Sequence, residues 1–446
     1  MGSKGNRRES AVDRTAGTRR PAVGRRALLQ GMAVGVLSAG VGGASTTVAV
    51  ASADETLEWD GRPVVLSEPN TTYQLVSDFY GTITIEANGI TLDGADFVIE
   101  PTEETGQPGD GVAVRPMQRA PTDGPPDEEE SSDEIEPLGE DESPAESDSP
   151  GEAGPSDENG PPGEGSVRGD EAVIGVSIEN LVVKNAQTGI RAFNAPALRL
   201  KNVDVEGARG GVNVSSASWD VADSDRSVPA ETVLEQVRVR RSQWDGFVVA
   251  RTPVRFRSCL ADRCGGPARA SGFRLQDNGM VSISRCLAQN CNEYGFHLTS
   301  ETPTDASVRM AAALGNGTSG IHSHAVDDLE LYCCYAGENA IDGIAVVEVD
   351  RLSMLDCTAS ENDGTGIAVV TTDAGTGIYA GVVAEGNGEQ LRLPAAFEER
   401  PRGDFAHEGC VPSTMKDRLL DWAAQKRERT EPVEPPASPP GNGGSV

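Results

Sequence analysis

Short alternations of apolar and polar residues recur down the second half of this chain. Residues 281–285 (Val-Ser-Ile-Ser-Arg) and 329–332 (Leu-Glu-Leu-Tyr) alternate with period two, the signature of a half-buried strand. Each alternation leads into a block of small polar residues, then a glycine followed by an apolar residue. The glycines are Gly189, Gly211, Gly246, Gly272, Gly295, Gly320, Gly343 and Gly366, and the last five are 23, 25, 23 and 23 residues apart. No unit carries the i, i+3, i+4, i+7 apolar spacing of a helix. A fixed period of this length predicts stacked supersecondary units, each of two or three short strands joined by tight turns.

In such a stack every residue lies above its equivalent, about 4.8 Å away along the parallel ladder. The equivalents form columns. One is small and apolar: Cys259, Cys286, Ala311, Cys334 and Cys357. A second is Cys264, Cys291, Asn316, Asn339 and Asn362, with Asn185 as an earlier member. Asn tolerates left-handed backbone at turns, and its amide can bond the amide of the next coil. The glycine supplies positive φ or close backbone approach.

These repeats resemble the right-handed parallel β-helix proteins of the pectin-lyase-like superfamily. Within it they are most similar to the subset typified by the copper-enzyme accessory protein of nitrous oxide reduction. The resemblance covers roughly residues 57–116 and 170–393, and residues 82–99 look like that family's usual first coil. It implies an all-β, right-handed parallel solenoid of roughly 9–11 coils. It leaves activity open, because the superfamily hosts many.

The ends of the chain carry other signals. Arg25-Arg26 precedes a Gly/Ala/Val run that ends in Ala51-Ser52-Ala53, a twin-arginine export signal with an A-x-A cleavage site. Past it no run of 18 apolar residues remains, so no membrane insertion is expected after cleavage. Residues 121–166 hold 17 acidic residues, nine prolines and no basic residue, a composition that cannot bury a core. Residues 413–429 read as a helix with Ser413 or Thr414 as N-cap. Its face of Met415, Leu419, Trp422 and Ala423 is expected to cap the last coil. The organisation is thus a signal over 1–53, first coils over 54–116 and a disordered acidic insertion over 117–169. The main solenoid follows over 170–395, a C-terminal segment with a capping helix over 396–429, and a tail over 430–446.

The formal charge is −32, and only five of the 38 basic residues are lysine. Hydrated carboxylates with little lysine suit a protein working at high salt, where a Debye length of about 3 Å at 1 M screens self-repulsion. This points to an exported protein of haloarchaeal type, extracellular or at the cell surface. The charge argues against nucleic acid and anionic membrane as partners.

Eight cysteines in an exported chain raise disulfides. Column neighbours Cys259–Cys286, Cys264–Cys291 and Cys334–Cys357 lie within bridging range, and stacked core thiols fit equally well. A zinc or copper site from Cys259, Cys264, Cys286 and Cys291 is the sharper alternative, although a four-residue gap is a weak metal spacing. No cofactor is required; a calcium or other divalent ion held by acidic loops is compatible with the composition. The four histidines are His297, His322, His324 and His407. His297 and His322 share a coil position and should stack. With His324, Asp327 and Asp328 they make the best titratable cluster, suited to acid–base work on a polysaccharide. The plainer alternative is a solvent-facing column beside an ordinary Asp327-Asp328 turn.

Family motifs weaken the catalytic reading. Of the polygalacturonase set only the paired Asp is present. Residues 251–257 (Arg-Thr-Pro-Val-Arg-Phe-Arg) miss the pectate-lyase Arg-x-Pro-x-x-Arg spacing. Aromatic content is 4%, leaving Trp219, Trp244, Tyr294 and Tyr332 as sugar platforms, with Tyr294 beside its glycine read as turn packing. The favoured reading is a non-catalytic β-helix presenting its repeat face to a cell-surface or extracellular polysaccharide or protein. The alternatives are a polysaccharide lyase, hydrolase or epimerase with a groove near 297–328, and a periplasmic-type metal-handling accessory protein. Oligomeric state is not encoded in any of these features.

Overall fold

The fold was analysed in a computed structural model that describes residues 47–48, 55–60, 62–102, 108–117, 172–216, 231–267, 269–371, 375–401, 410 and 412–430. Residues 1–46, 118–171 and 431–446, which hold nearly all of the export signal, the acidic insertion and the tail, lie outside these residues, as do Trp219 and His407.

The chain winds into an all-β parallel solenoid of about 11 turns with one C-terminal helix. Three strands per turn generate three parallel stacks. In the middle of the molecule stack 1 contains Phe273–Gln276, Phe296–Thr299, Ile321–His324 and Ile344–Val347. Stack 2 contains Met280–Ser284, Asp305–Arg309, Asp328–Tyr332 and Arg351–Leu355. Stack 3 contains Leu287–Gln289, Ala312–Leu314, Tyr335–Gly337 and Thr358–Ser360. The ladder is continuous across the acidic insertion: Val112 pairs with Ile190, and Thr91 pairs with Ser177.

Alternation decides which side chains enter the core. In stack 1 the residue after each glycine points inward, so Phe247, Phe273, Phe296, Ile321, Ile344 and Ile367 form one fully buried column. Its three phenylalanines stack with centroids 4.6 and 4.7 Å apart. The thiols of Cys259, Cys286, Cys334 and Cys357 are equally buried.

Corners are made by single left-handed residues. Ser258, Arg285, Met310, Cys333 and Asp356 turn stack 2 into stack 3 with φ between 50° and 56°. Arg263, Asn290, Glu338 and Glu361 leave stack 3 with φ between 55° and 60°. A non-glycine residue held there costs roughly 1–2 kcal/mol. The corner N–H groups offset this by bonding the next coil, as Met310 does to the Tyr332 carbonyl at 2.8 Å.

These corners correct two expectations. The column asparagines do not supply the left-handed turn; the residue before each of them does. Asn185, with φ 53°, is itself a corner residue rather than a column member. The buried column runs Cys291, Asn316, Asn339, Asn362 and on to Asn387. Each asparagine carboxamide oxygen accepts the backbone N–H of the preceding column residue, at 2.9–3.1 Å. The repeat glycines serve close approach: a Cβ on Gly320 would lie 2.7 Å from Asn339 Nδ2 and 2.8 Å from the Gly343 carbonyl oxygen. Gly295, Gly343 and Gly366 face the same crowding from the next coil.

The C-terminal helix spans Pro412–Thr430, starting on a proline whose fixed φ suits the first turn. It does not sit across the end of the stack. Leu419 and Ala423 bury against Leu260, Leu287, Ala312 and Tyr335 on the outer side of stack 3. Those four side chains form an apolar stripe on an otherwise solvent-facing surface, and this stripe, not the last coil, recruits the helix. A disulfide between Cys333 and Cys410, with Cα atoms 5.9 Å apart, anchors the segment just before the helix. Within the described residues no helix is long and apolar enough to cross a membrane.

Candidate functional site

Outward positions of stack 1 form two columns. The first reads Arg274, His297, His322, Ala345, Ala368 and Arg392; the second reads Gln276, Thr299, His324, Val347 and Val370. His297 and His322 lie on adjacent coils with ring centroids 5.3 Å apart. Tyr294 packs on both, 4.4 Å from His297 and 4.7 Å from His322, nearly parallel to the latter. The turn residue before Gly295 thus completes a three-ring platform. Beside it a groove of about 620 Å³ is walled by turn residues such as Glu293, Thr318 and Asp342.

Electrostatics around the rings is built from engaged charges. Arg274 is held between Asp245 (3.3 Å) and Glu293 (3.4 Å). Asp342 accepts the Thr365 backbone N–H at 2.7 Å. Burial, then the neighbouring His322, Arg274 and His324, lowers His297 to a pKa of about 4. Burial also lowers His322, with Asp342 opposing. Both imidazoles are therefore neutral near pH 7. Burial raises the Tyr294 phenol. Three polar atoms here are buried without a hydrogen-bond partner, Arg274 Nε, His297 Nδ1 and Thr318 Oγ1.

The wider histidine–aspartate cluster is divided by the fold. Ala325, with φ 55°, turns the chain out of stack 1. His324 points toward Glu348 at 3.5 Å, and Asp327 accepts the Thr304 backbone N–H at 3.0 Å; both line a second groove. Asp328 lies on the outer face of stack 2, ion-paired with Arg351. The two aspartates therefore do not join His297 and His322. A glycoside hydrolase needs two carboxyl groups flanking one bond, and these five residues do not provide that arrangement.

Cys259 and Cys264 flank opposite ends of the strand Leu260–Asp262, so their partners Cys286 and Cys291 make two separate thiol pairs rather than one four-sulfur site. All four are unbridged and buried, as are Cys334 and Cys357. Burial raises the Cys259 thiol, and contact with Cys291 followed by burial raises Cys264. Among the described residues no three His, Cys, Asp or Glu side chains converge as a metal cage.

The disulfide and the role of Tyr294 escaped the sequence reading. Cys333 is a corner residue beside the column residue Cys334, and Cys410 lies outside the repeat, so spacing carried no signal for their pairing. Tyr294 had a usable signal: Tyr294, Ser319 and Asp342, each just before a repeat glycine, line the same groove as His322 and Ala345.

A family model described as the right-handed beta helix region matches residues 230–383. No curated protein matches. Among solved structures, the A-module of the Azotobacter vinelandii mannuronan C-5 epimerase AlgE4 is similar at 10% identity, covering 76% of this chain and 91% of that one, with a TM-score of 0.40. The periplasmic alginate epimerase AlgG is similar at 10% identity, covering 76% and 77%, TM-score 0.37. The receptor-binding domain of the Siphovirus 9NA tailspike is similar at 10% identity, covering 78% and 72%, TM-score 0.34. The family match and the three parallel stacks together fit the β-helix repeat superfamily.

Proposed function

We propose that this chain is an exported, salt-adapted β-helix protein that binds a polysaccharide along the outer face of stack 1, with Tyr294, His297 and His322 as the platform. The observation that carries this reading is the three-ring contact at the edge of a 620 Å³ groove. Flat apolar faces with polar edges suit sugar rings, and grooves with a few placed polar groups are the usual form of a ligand site. Asp327 and Asp328 lie away from the groove, and its own carboxylates, Glu293 and Asp342, are engaged by Arg274 and by the Thr365 backbone N–H, which favours binding over hydrolysis. The twin-arginine signal and the scarcity of lysine support export into high salt.

A second reading places acid–base turnover, by elimination or epimerisation, in the same groove. It is favoured by the neutral imidazoles beside a phenol that could exchange a proton with a bound sugar. One experiment separates the two: a panel of neutral and acidic polysaccharides tested for binding and for turnover in molar salt, with Tyr294→Ala and His322→Ala. Binding without turnover supports the binding reading. Turnover lost in both variants supports the enzyme, and no binding to any glycan overturns both.

A further inference from the structure

The groove changes character along the solenoid axis. At the Tyr294 and His322 end it is aromatic and polar. One and two coils further on, the same outward column holds Ala345 and Ala368, 6% and 8% exposed. Their small side chains form a recessed floor. Ile341 and Val370, 48% and 46% exposed, rise beside it. Ile341 lies in the turn before Gly343 and Val370 at the end of its strand, and with the two alanines they make one continuous apolar patch in the groove.

The polar atoms around the floor are matched to a neutral group. Thr318 Oγ1 is buried without a partner at the groove wall. Asp342 uses Oδ1 on the Thr365 backbone N–H at 2.7 Å, which leaves its other oxygen to accept. Arg274 is engaged by Asp245 and Glu293, and Arg392 is ion-paired with Glu389. Arg269 and Arg392 line the groove together with Glu293 and Asp342, so the lining charges balance and a neutral ligand suits it. A ligand group is thus called for that donates one hydrogen bond, accepts one, carries no charge and ends in a methyl.

Resting on the glycan-binding reading above, we propose that the groove selects a sugar bearing a 2-acetamido group. The sugar ring lies on Tyr294 and His322. The amide N–H donates to Asp342, the amide carbonyl accepts from the Thr318 hydroxyl, and the methyl sits on Ala345 and Ala368. Satisfying a buried orphan hydroxyl and covering apolar floor both favour the acetamido sugar over its hydroxyl analogue.

The test uses two neutral β-1,4 hexamers that differ at this group, the hexamer of N-acetylglucosamine and that of glucose, alongside the polysaccharide panel. Affinities are measured by calorimetry in molar salt on the secreted protein. The expected result is at least tenfold tighter binding of the N-acetylglucosamine hexamer. Thr318→Val and Ala345→Leu should each shrink that ratio toward one. Ala345 is buried and Thr318 half-buried in the groove, so circular dichroism and thermal unfolding check that both variants fold. Equal affinity for the two hexamers, or binding of another panel glycan but of neither hexamer, overturns the acetamido proposal and leaves the glycan-binding reading standing. No binding to any glycan overturns both.

Discussion

Asn316 donates through Nδ2 to Oδ1 of Asn339 at 2.9 Å, and the same oxygen accepts the Asn316 backbone N–H at 3.0 Å. The pair is fully internal, so neither asparagine can exchange its partner for water. Asn339 repeats the arrangement on Asn362, and Asn362 on Asn387. Replacing Asn339 by Leu removes an acceptor of two bonds and a donor of two, to the Ala313 carbonyl and to Asn362 Oδ1. Leaving a buried group unsatisfied costs about 1–3 kcal/mol, so Asn339→Leu should destabilise by at least about 2 kcal/mol. Denaturant unfolding in high salt checks this, and an unchanged midpoint would refute the ladder's structural role.

The repeat glycine and the corner glycine should respond differently. Gly320→Ala brings Cβ to 2.7 Å from Asn339 Nδ2 and 2.8 Å from a backbone oxygen, and overpacking of this kind costs about 1–3 kcal/mol. Gly315 has φ 60°, but the equivalent corner of the preceding coil is Asn290 at φ 56°. Gly315→Asn should therefore stay within about 0.5 kcal/mol of wild type, the range of a compatible surface change. Equal losses in the two variants would contradict the division of roles.

His297 gives the fold a pH dependence. Its folded pKa is lowered to about 4 from 6.5 by burial and neighbouring cations. Between those values the unfolded chain binds a proton that the folded chain refuses, so stability falls as pH drops from about 6.5 toward 4. His297→Gln should flatten the change in thermal midpoint between pH 7 and pH 4.5. A variant with the same slope as wild type would show that another group carries it.

The disulfide should hold the helix rather than the solenoid. Cys333 and Cys410 are 77 residues apart, a closure worth about 4.5 kcal/mol in the chain-entropy account. Reduction, or Cys333→Ser with Cys410→Ser, should let the helix leave stack 3. Trp422, half-buried in that contact, then reports a red-shifted emission while the β-sheet signal persists. Simultaneous loss of both signals would mean that the helix is integral to the stack.

Much of this architecture was legible because a solenoid writes its geometry into the spacing of single residues. Gly295, Gly320, Gly343 and Gly366 marked the coil, and Asn316, Asn339 and Asn362 marked an interior column, since stacked equivalents meet the same constraint on every turn. The site was less legible. Period-two alternation tells which residues point outward but not onto which of three faces. The corner at Ala325 therefore separated Asp327 and Asp328 from His322, although they are close in sequence. Tyr294 joined the rings from a turn, where neighbours across coils matter more than neighbours along the chain. The helix position depended on Leu260, Leu287, Ala312 and Tyr335, whose outward orientation becomes visible only once the register of stack 3 is known.

The outer face of stack 1, at Tyr294 and His322, is the proposed glycan-binding surface. Calorimetric titration of the tightest glycan from the panel, in molar salt, tests it on wild type, Tyr294→Ala and Asp328→Ala. Asp328 lies on the face of stack 2 and serves as the control. Stacking on a ring is worth about 0.5–1.5 kcal/mol, so Tyr294→Ala should weaken binding about two- to tenfold while Asp328→Ala leaves it unchanged. Unchanged affinity in Tyr294→Ala, or a loss confined to Asp328→Ala, would contradict the account.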